Sequence, residues 1–164
     1  MRRRPGSGGG ADRVIGLLQR VTDARVSVGD EVVGAIGPGL VVLLGIARHD
    51  GTAQADRLLE RIVTYRVFPD AAGRMNLSLL AVGGELLVVP QFTLVADTAS
   101  GTRAGFSTAA SAADGERLYE YFLGAARGRL PRVACGRFGA YMRVSLTNDG
   151  PVTFWLEAAP SRSE

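Results

Sequence analysis

Cysteine and histidine are almost missing from this sequence, with one of each, Cys135 and His49, in 164 residues. One thiol excludes an internal disulfide framework, and one Cys with one His cannot supply a Cys/His zinc cluster. Such usage fits a reducing compartment, and a cytoplasmic location is expected. A Ser-His-Asp relay would have to run through His49, which lies in the loop-like stretch Arg48-His49-Asp50-Gly51-Thr52. A lone His in such a loop is ordinarily a solvated residue. Lysine is absent too, so all 19 basic residues are arginine. No apolar run approaches the roughly 20 residues of a membrane span. The basic opening Met1-Arg2-Arg3-Arg4 has no apolar segment behind it of the kind a secretory signal carries. Any chemistry is therefore expected to do mostly without imidazole, thiolate and metal.

The net charge of +3 suggests nucleic acid until it is located. Four of the 19 basic residues (Arg2, Arg3, Arg4, Arg13) precede Val14, against one of the 16 acidic ones (Asp12). The remainder is balanced, so a basic face would have to come from patterning. The glycine-rich opening reads as a disordered extension over 1–13, followed by a single domain over 14–158 and a short tail over 159–164.

Within that domain, Val14 to Val21 and then Ala24 to Val28 read as a first strand and its continuation. A turn at Gly29-Asp30 and a returning strand from Glu31 to Ile36 follow, and Gly37-Pro38-Gly39 breaks the chain. Leu40 to Ile46 is apolar without alternation, as expected of a central strand covered on both faces. Thr52 is the expected cap of a helix with Ala55, Leu58, Leu59, Ile62 and Val63 on its buried face. Phe68 to Gly73 reads as a turn, Met75 to Leu79 as a short extended or helical piece, and Glu85 to Val89 as a buried strand running on through Pro90-Gln91-Phe92-Thr93. Ser111 to Asp114 resembles a capping box, opening a helix with Leu118, Tyr121, Phe122, Ala125 and Ala126 on one face. About seven strands and two main helices predict a mixed α/β or α+β layer or a closed, barrel-like mixed sheet, with the two helices packed outside.

Val144 to Leu156 is the most informative stretch. Two β-branched and aromatic runs flank Asn148-Asp149-Gly150-Pro151, which reads as strand, tight turn, strand. An ordinary hairpin turn is one reading. The other is a surface where main-chain atoms do the work, because glycine before proline leaves a bare and conformationally free step.

The chain resembles the D-aminoacyl-tRNA deacylases, historically D-tyrosyl-tRNA deacylases. The resemblance covers about Ile15 to Glu157 and rests on Leu18-Gln19-Arg20-Val21, Ile36-Gly37-Pro38-Gly39-Leu40, Gly73-Arg74-Met75-Asn76-Leu77, Gln91-Phe92-Thr93-Leu94 and Asn148-Asp149-Gly150-Pro151-Val152-Thr153, in that order. It implies a cytoplasmic homodimer, without cofactor or membrane partner, that hydrolyses the ester between a D-amino acid and the 3′-terminal adenosine of tRNA. Gly150-Pro151 would be the family's Gly-cis-Pro motif, reaching into the partner subunit's pocket beside Gln91, Phe92 and Thr93. Arg20 would hold the motif in orientation, and Met142 would join it in binding and chiral selection. A wall of amide oxygens excludes an L side chain by clash and leaves a D side chain pointing outward, so many D-amino acids are accepted and glycine is not refused. Main-chain N–H groups near Phe92 and Thr93 would stabilise the oxyanion. Thr93 is a poor nucleophile without a base, so it is expected to position groups while the substrate's 2′-OH assists. Phe92 would stack on adenine, or be a buried strand aromatic.

Two departures stand out. Pro90 occupies the place of the family's usual Ser, and Arg103-Ala104-Gly105-Phe106 that of Arg-Pro-Ser-Phe. A related tRNA deacylase branch with a relaxed chiral filter carries Pro at the first position but lacks the Phe found here. That branch and a non-catalytic tRNA-binding module are the rival expectations.

Overall fold

The computed structural model describes residues 13–48 and 50–159. The alternating run from Val14 forms one strand of 15 residues, β1 (Val14–Val28), long enough to carry partners on both edges. One edge pairs antiparallel with β8 (Arg143–Ala158). The other is shared between β3 (Gly39–Gly45), opposite residues 15–21, and β2 (Glu31–Ile36), opposite residues 24–28. β3 pairs in parallel with β6 (Glu85–Pro90), and β6 in parallel with β7 (Val133–Cys135). This six-stranded sheet curls until β2 comes back to β7. There Arg132 Nη2 donates to Ala35 O at 3.2 Å, and Arg137 lies 3.7 Å from the Glu31 carboxylate. The result is the expected mixed, nearly closed barrel.

Parallel neighbours need long crossovers. Between β3 and β6 the chain makes α1 (Thr52–Thr64), the two short strands β4 (Phe68–Pro69) and β5 (Met75–Leu77), and α2 (Leu79–Val82). Between β6 and β7 it makes a 3-10 turn (Phe92–Val95) and α3 (Ala112–Arg127). Leu40, Val42 and Leu44 of β3, with Leu86 and Val88 of β6, pack against Leu58, Ile62 and Phe122 of the helices. The alternate residues Val41, Leu87 and Val89 fill the barrel interior with Val21, Ala24, Val26 and Ile36. Both faces of β3 are covered, which is why it reads as an unbroken apolar run; each such side chain contributes about 1.5–3 kcal/mol on burial.

The buried face of α1 is the one expected, Ala55, Leu58, Leu59, Ile62 and Val63. Its cap lies one residue earlier, at Gly51, whose N–H donates to Gln54 Oε1 at 3.0 Å. Ser111 caps α3 as expected, its Oγ accepting from Asp114 N at 3.2 Å. The face of α3 differs. Tyr119 and Leu123 are buried, whereas Tyr121 is exposed and donates to Asp56 Oδ1 of α1 at 2.8 Å. Tyr119 goes inside because its hydroxyl reaches Gly136 O at 2.8 Å, and that burial pushes its phenol pKa up. Phe68-Pro69, expected as turn, is a strand pairing with β5, and β7 was not expected. The expected tails, apart from Arg13 and Ala159, and His49 lie outside the described residues.

Candidate functional site

β8 does not turn back at Asn148-Asp149-Gly150. Residues 143–148 pair with β1 from Ser27 to Val21, and Thr153 to Ala158 pair with it from Gln19 to Val14, so both arms run in one direction. The expected hairpin is instead a bulge in which residues 149–152 stand opposite Arg20 alone. The turn chemistry is local, but β1 offers both arms a longer ladder than they could offer each other, and that pairing wins.

Side chains close the bulge. Asn148 Oδ1 accepts from Val152 N at 2.7 Å, while its Nδ2 donates to Val152 O at 3.3 Å and Thr153 Oγ1 at 3.0 Å. Arg20 Nε donates to Asp149 O at 2.8 Å, and its Nη1 to Val67 O at 2.7 Å. The Arg20 side chain is 12% exposed, whereas the Asp149 carboxylate, 57% exposed, stays 3.9 Å from Nε. The grip is therefore on main chain rather than through an ion pair. Gly150 has φ +144°, and a Cβ there would fall 2.6 Å from Val152 Cγ2, so only glycine fits. The Gly150-Pro151 peptide bond is cis, and both residues are exposed.

A cavity of about 450 Å³ opens at the C-terminal ends of β3 and β6, lined among others by Gln91, Phe92, Ser111, Phe138 and Met142. Among the described residues lining it, none is Asp, Glu, His, Cys, Lys or Arg. Pro90 also lines it and offers no donor. Thr93, expected on a strand, lies in the 3-10 turn, which can settle on β3 because Gly45 has no side chain: a Cβ there would fall 2.9 Å from Leu94 Cβ. Inside the turn Leu94 N donates to Gln91 O at 3.2 Å and Ala96 N to Thr93 O at 3.2 Å, so the Phe92 and Thr93 amides stand outside its own bonding. Gln91 Nε2 donates to Thr93 Oγ1, and Gln91 N donates to Leu44 O at 2.8 Å. Phe92 is 62% exposed rather than a buried strand aromatic, and it leans on Phe106 with ring centroids 5.2 Å apart. Met142 Sδ accepts from Arg137 N at 3.3 Å.

The seven sequence-derived residues thus form two groups. Arg20, Gly150 and Pro151 gather at the bulge; Gln91, Phe92 and Met142 line the cavity, with Thr93 bonded to Gln91. The groups do not meet within one chain. Arg20 pairs with Leu40 and Pro90 with Leu44, four residues further along β3, roughly 13 Å at about 3.3 Å per residue. Asn148 was missed as an individual residue although its motif was noted. Val67 was missed because it contributes a carbonyl, which no side-chain pattern can signal.

Comparisons with known proteins find relatives over nearly the whole described chain. A family model described as D-Tyr-tRNA(Tyr) deacylase matches residues 17–157. The D-aminoacyl-tRNA deacylase of Nitrosococcus oceani is 60% identical over 148 residues, spanning 90% of this chain and 96% of that protein. Among solved structures, the c-Myc DNA unwinding element binding protein superposes with a TM-score of 0.85 at 38% identity, covering 89% of this chain and 99% of that one. A probable eukaryotic D-amino acid tRNA deacylase shares the fold, with a TM-score of 0.77 at 18% identity, covering 88% and 99%. With a match of that extent lying over both the bulge and the cavity, the chain belongs to the D-Tyr-tRNA(Tyr) deacylase family.

Proposed function

We propose that the protein hydrolyses the ester joining a D-amino acid to the 3′-terminal adenosine of tRNA in the cytoplasm. It works as a homodimer in which residues 149–151 of one protomer stand at the cavity of the other. The observation that carries this reading is the separation of the two groups. An exposed main-chain bulge, gripped by a nearly buried Arg20, lies at the opposite end of β3 from a cavity that Gln91 and Phe92 line at the start of the 3-10 turn. A second copy related by a twofold axis supplies each cavity with a bulge.

In that arrangement the cavity takes the terminal adenosine, with Phe92 and Phe106 offering aromatic faces. The Phe92 and Thr93 amides, outside the turn's own bonding, receive the oxyanion that develops on the ester carbonyl. Gln91 holds the Thr93 hydroxyl by donating to it, which orients that group rather than deprotonating it. The substrate's 2′-OH assists the attack of water. The wall at Gly150 and Pro151 rejects an L side chain by clash and reads nothing of a D side chain, so D-amino acids of many kinds are substrates. Glycyl-tRNA, lacking a side chain to reject, is one as well.

Deacylation of D-Tyr-tRNA and L-Tyr-tRNA tests the reading. Release from the D form alone is expected. Comparable release from both would indicate a relaxed-chirality deacylase, and binding without turnover a tRNA-binding module. Mixed dimers test the shared site: a Gln91→Ala/Thr93→Ala subunit refolded together with a Gly150→Val subunit recovers D-selective activity above that of either parent. No recovery, with mixed dimers demonstrably formed, would refute assembly across the interface.

A further inference from the structure

The β4–β5 hairpin takes no part in the site described so far, yet it holds half of Arg20. The guanidinium is a rigid plane whose donors keep fixed directions. Because Nη1 is bonded to Val67 O at 2.7 Å and Nε to Asp149 O at 2.8 Å, the second carbonyl is placed with reference to the first. Val67 belongs to the hairpin's base. Its N–H donates to Leu77 O at 3.1 Å, and Phe68 then pairs with Leu77 and Pro69 with Met75.

The turn closing this hairpin hangs on one carboxylate. Asp70 Oδ1 accepts from Ala72 N at 2.9 Å and Arg74 N at 3.0 Å, and Oδ2 accepts from Asn76 Nδ2 at 2.8 Å. The main chain adds Asp70 N to Arg74 O at 2.8 Å and Gly73 N to Asp70 O at 3.0 Å. Hydrogen bonds from Asn76, then Arg74, hold the Asp70 carboxyl below its ordinary pKa. The Gly73-Arg74-Met75-Asn76-Leu77 run is thereby accounted for: Gly73 takes the positive φ of the turn, at +81°, and Asn76 braces the carboxylate.

We propose that the hairpin is the reference against which Arg20 sets the bulge, so that Asp70 and Asn76 are positioning residues for chiral selection, acting through the Val67 carbonyl and Arg20 on Asp149 and Gly150. The proposal rests on the reading of Gly150-Pro151 as the selecting wall. A hairpin that slackens lets the guanidinium follow Val67 O, and the wall moves with it. An L side chain then finds room while the cavity and its amides are untouched.

The test compares kcat/KM for D-Tyr-tRNA and L-Tyr-tRNA in the wild type, Asp70→Ala, Asp70→Asn, Asn76→Ala and Arg20→Met, with hydrogen exchange at the hairpin amides. For Asp70→Ala the D:L ratio is expected to fall about tenfold, the energy of roughly one hydrogen bond to a charged group, mainly by a rise in the L rate. Asp70→Asn keeps an oxygen for the two turn amides and restores most of the ratio, a rescue that a merely structural role does not demand. Asn76→Ala, which removes a single bond, gives a smaller fall and serves if Asp70→Ala does not fold. Faster exchange in the hairpin with an unchanged ratio overturns the proposal. If Arg20→Met lowers the ratio and neither Asp70→Ala nor Asn76→Ala does, the hairpin inference fails while the wall stands. If Arg20→Met also leaves the ratio unchanged, the wall reading fails and takes the proposal with it.

Discussion

At the scale of the residue, the sharpest question is what Thr93 does. Its Oγ1 accepts from Gln91 Nε2, and no carboxylate, imidazole, thiol or amine lines the adjoining cavity among the described residues. A hydroxyl held as an acceptor, with no base beside it, positions rather than attacks. Thr93→Ala is therefore expected to lower kcat by about tenfold or less, the order of one hydrogen bond, in single-turnover deacylation of D-Tyr-tRNA. Complete loss of turnover with substrate binding intact would make it the nucleophile. The chemistry of the motifs put Gly150 forward by itself, and the family resemblance named Arg20 and Gln91. The sequence could not show that Arg20 works on carbonyls. Both of its partners, Val67 O and Asp149 O, are main-chain atoms, and every residue has one. Asn148 was legible as turn chemistry but not as the side chain that closes the bulge at both Val152 N and Val152 O.

Among the elements, helix α1 was fully legible in its buried face, because five apolar residues at helical spacing depend on nothing distant. The bulge in β8 was not. Asn-Asp-Gly-Pro predicts a reversal on local grounds, and only the length of β1 decides that the chain resumes its direction. Tyr119 and Tyr121 changed places for a similar reason: an amphipathic helix seen alone does not say which tyrosine has a carbonyl waiting inside. The far ends of β1 and β8 carry a prediction. Glu157 Oε2 accepts from Arg13 Nη1 at 2.7 Å and its Oε1 from Trp155 Nε1 at 2.9 Å, and these bonds, Arg13 first, hold its carboxyl below the ordinary 4.5. A carboxyl lowered by folding stabilises the fold fully above its unfolded value and loses that contribution as pH falls through the folded one. Thermal melts should show Glu157→Gln less stable than wild type at pH 7, with the gap closing below about pH 4.5. A gap that persists unchanged at pH 3 would mean that the pairing contributes nothing through charge.

For the whole molecule, a two-sided apolar strand, two helical patterns and hairpin signals were enough to indicate mixed strands, as a layer or a barrel, with helices outside. Its closure was not legible. β7 is three residues long and meets β2 by close backbone approach, a Cβ on Gly34 falling 2.6 Å from Cys135 O, with Arg132 and Arg137 bonding to β2 on either side of it. Assembly is where the molecular scale bears on activity. If cavity and bulge meet only between protomers, specific activity should fall on dilution in step with dissociation measured by sedimentation. A dilute monomer with full activity and full D selectivity would place the whole site within one chain.

The cavity walls carry one last implication. Lined among the described residues by apolar, amide and hydroxyl groups alone, they leave nothing for a thiol alkylator or an imidazole reagent to label, and no carboxylate, imidazole, thiol or amine to bend a rate profile between pH 5 and 9. Kinetic acidity measured in that range would belong to the substrate's own ammonium and ribose. Inhibitors would then have to be shaped to geometry and amide donors, in the manner of non-hydrolysable ester mimics, since the walls offer no thiol, amine or imidazole to a warhead.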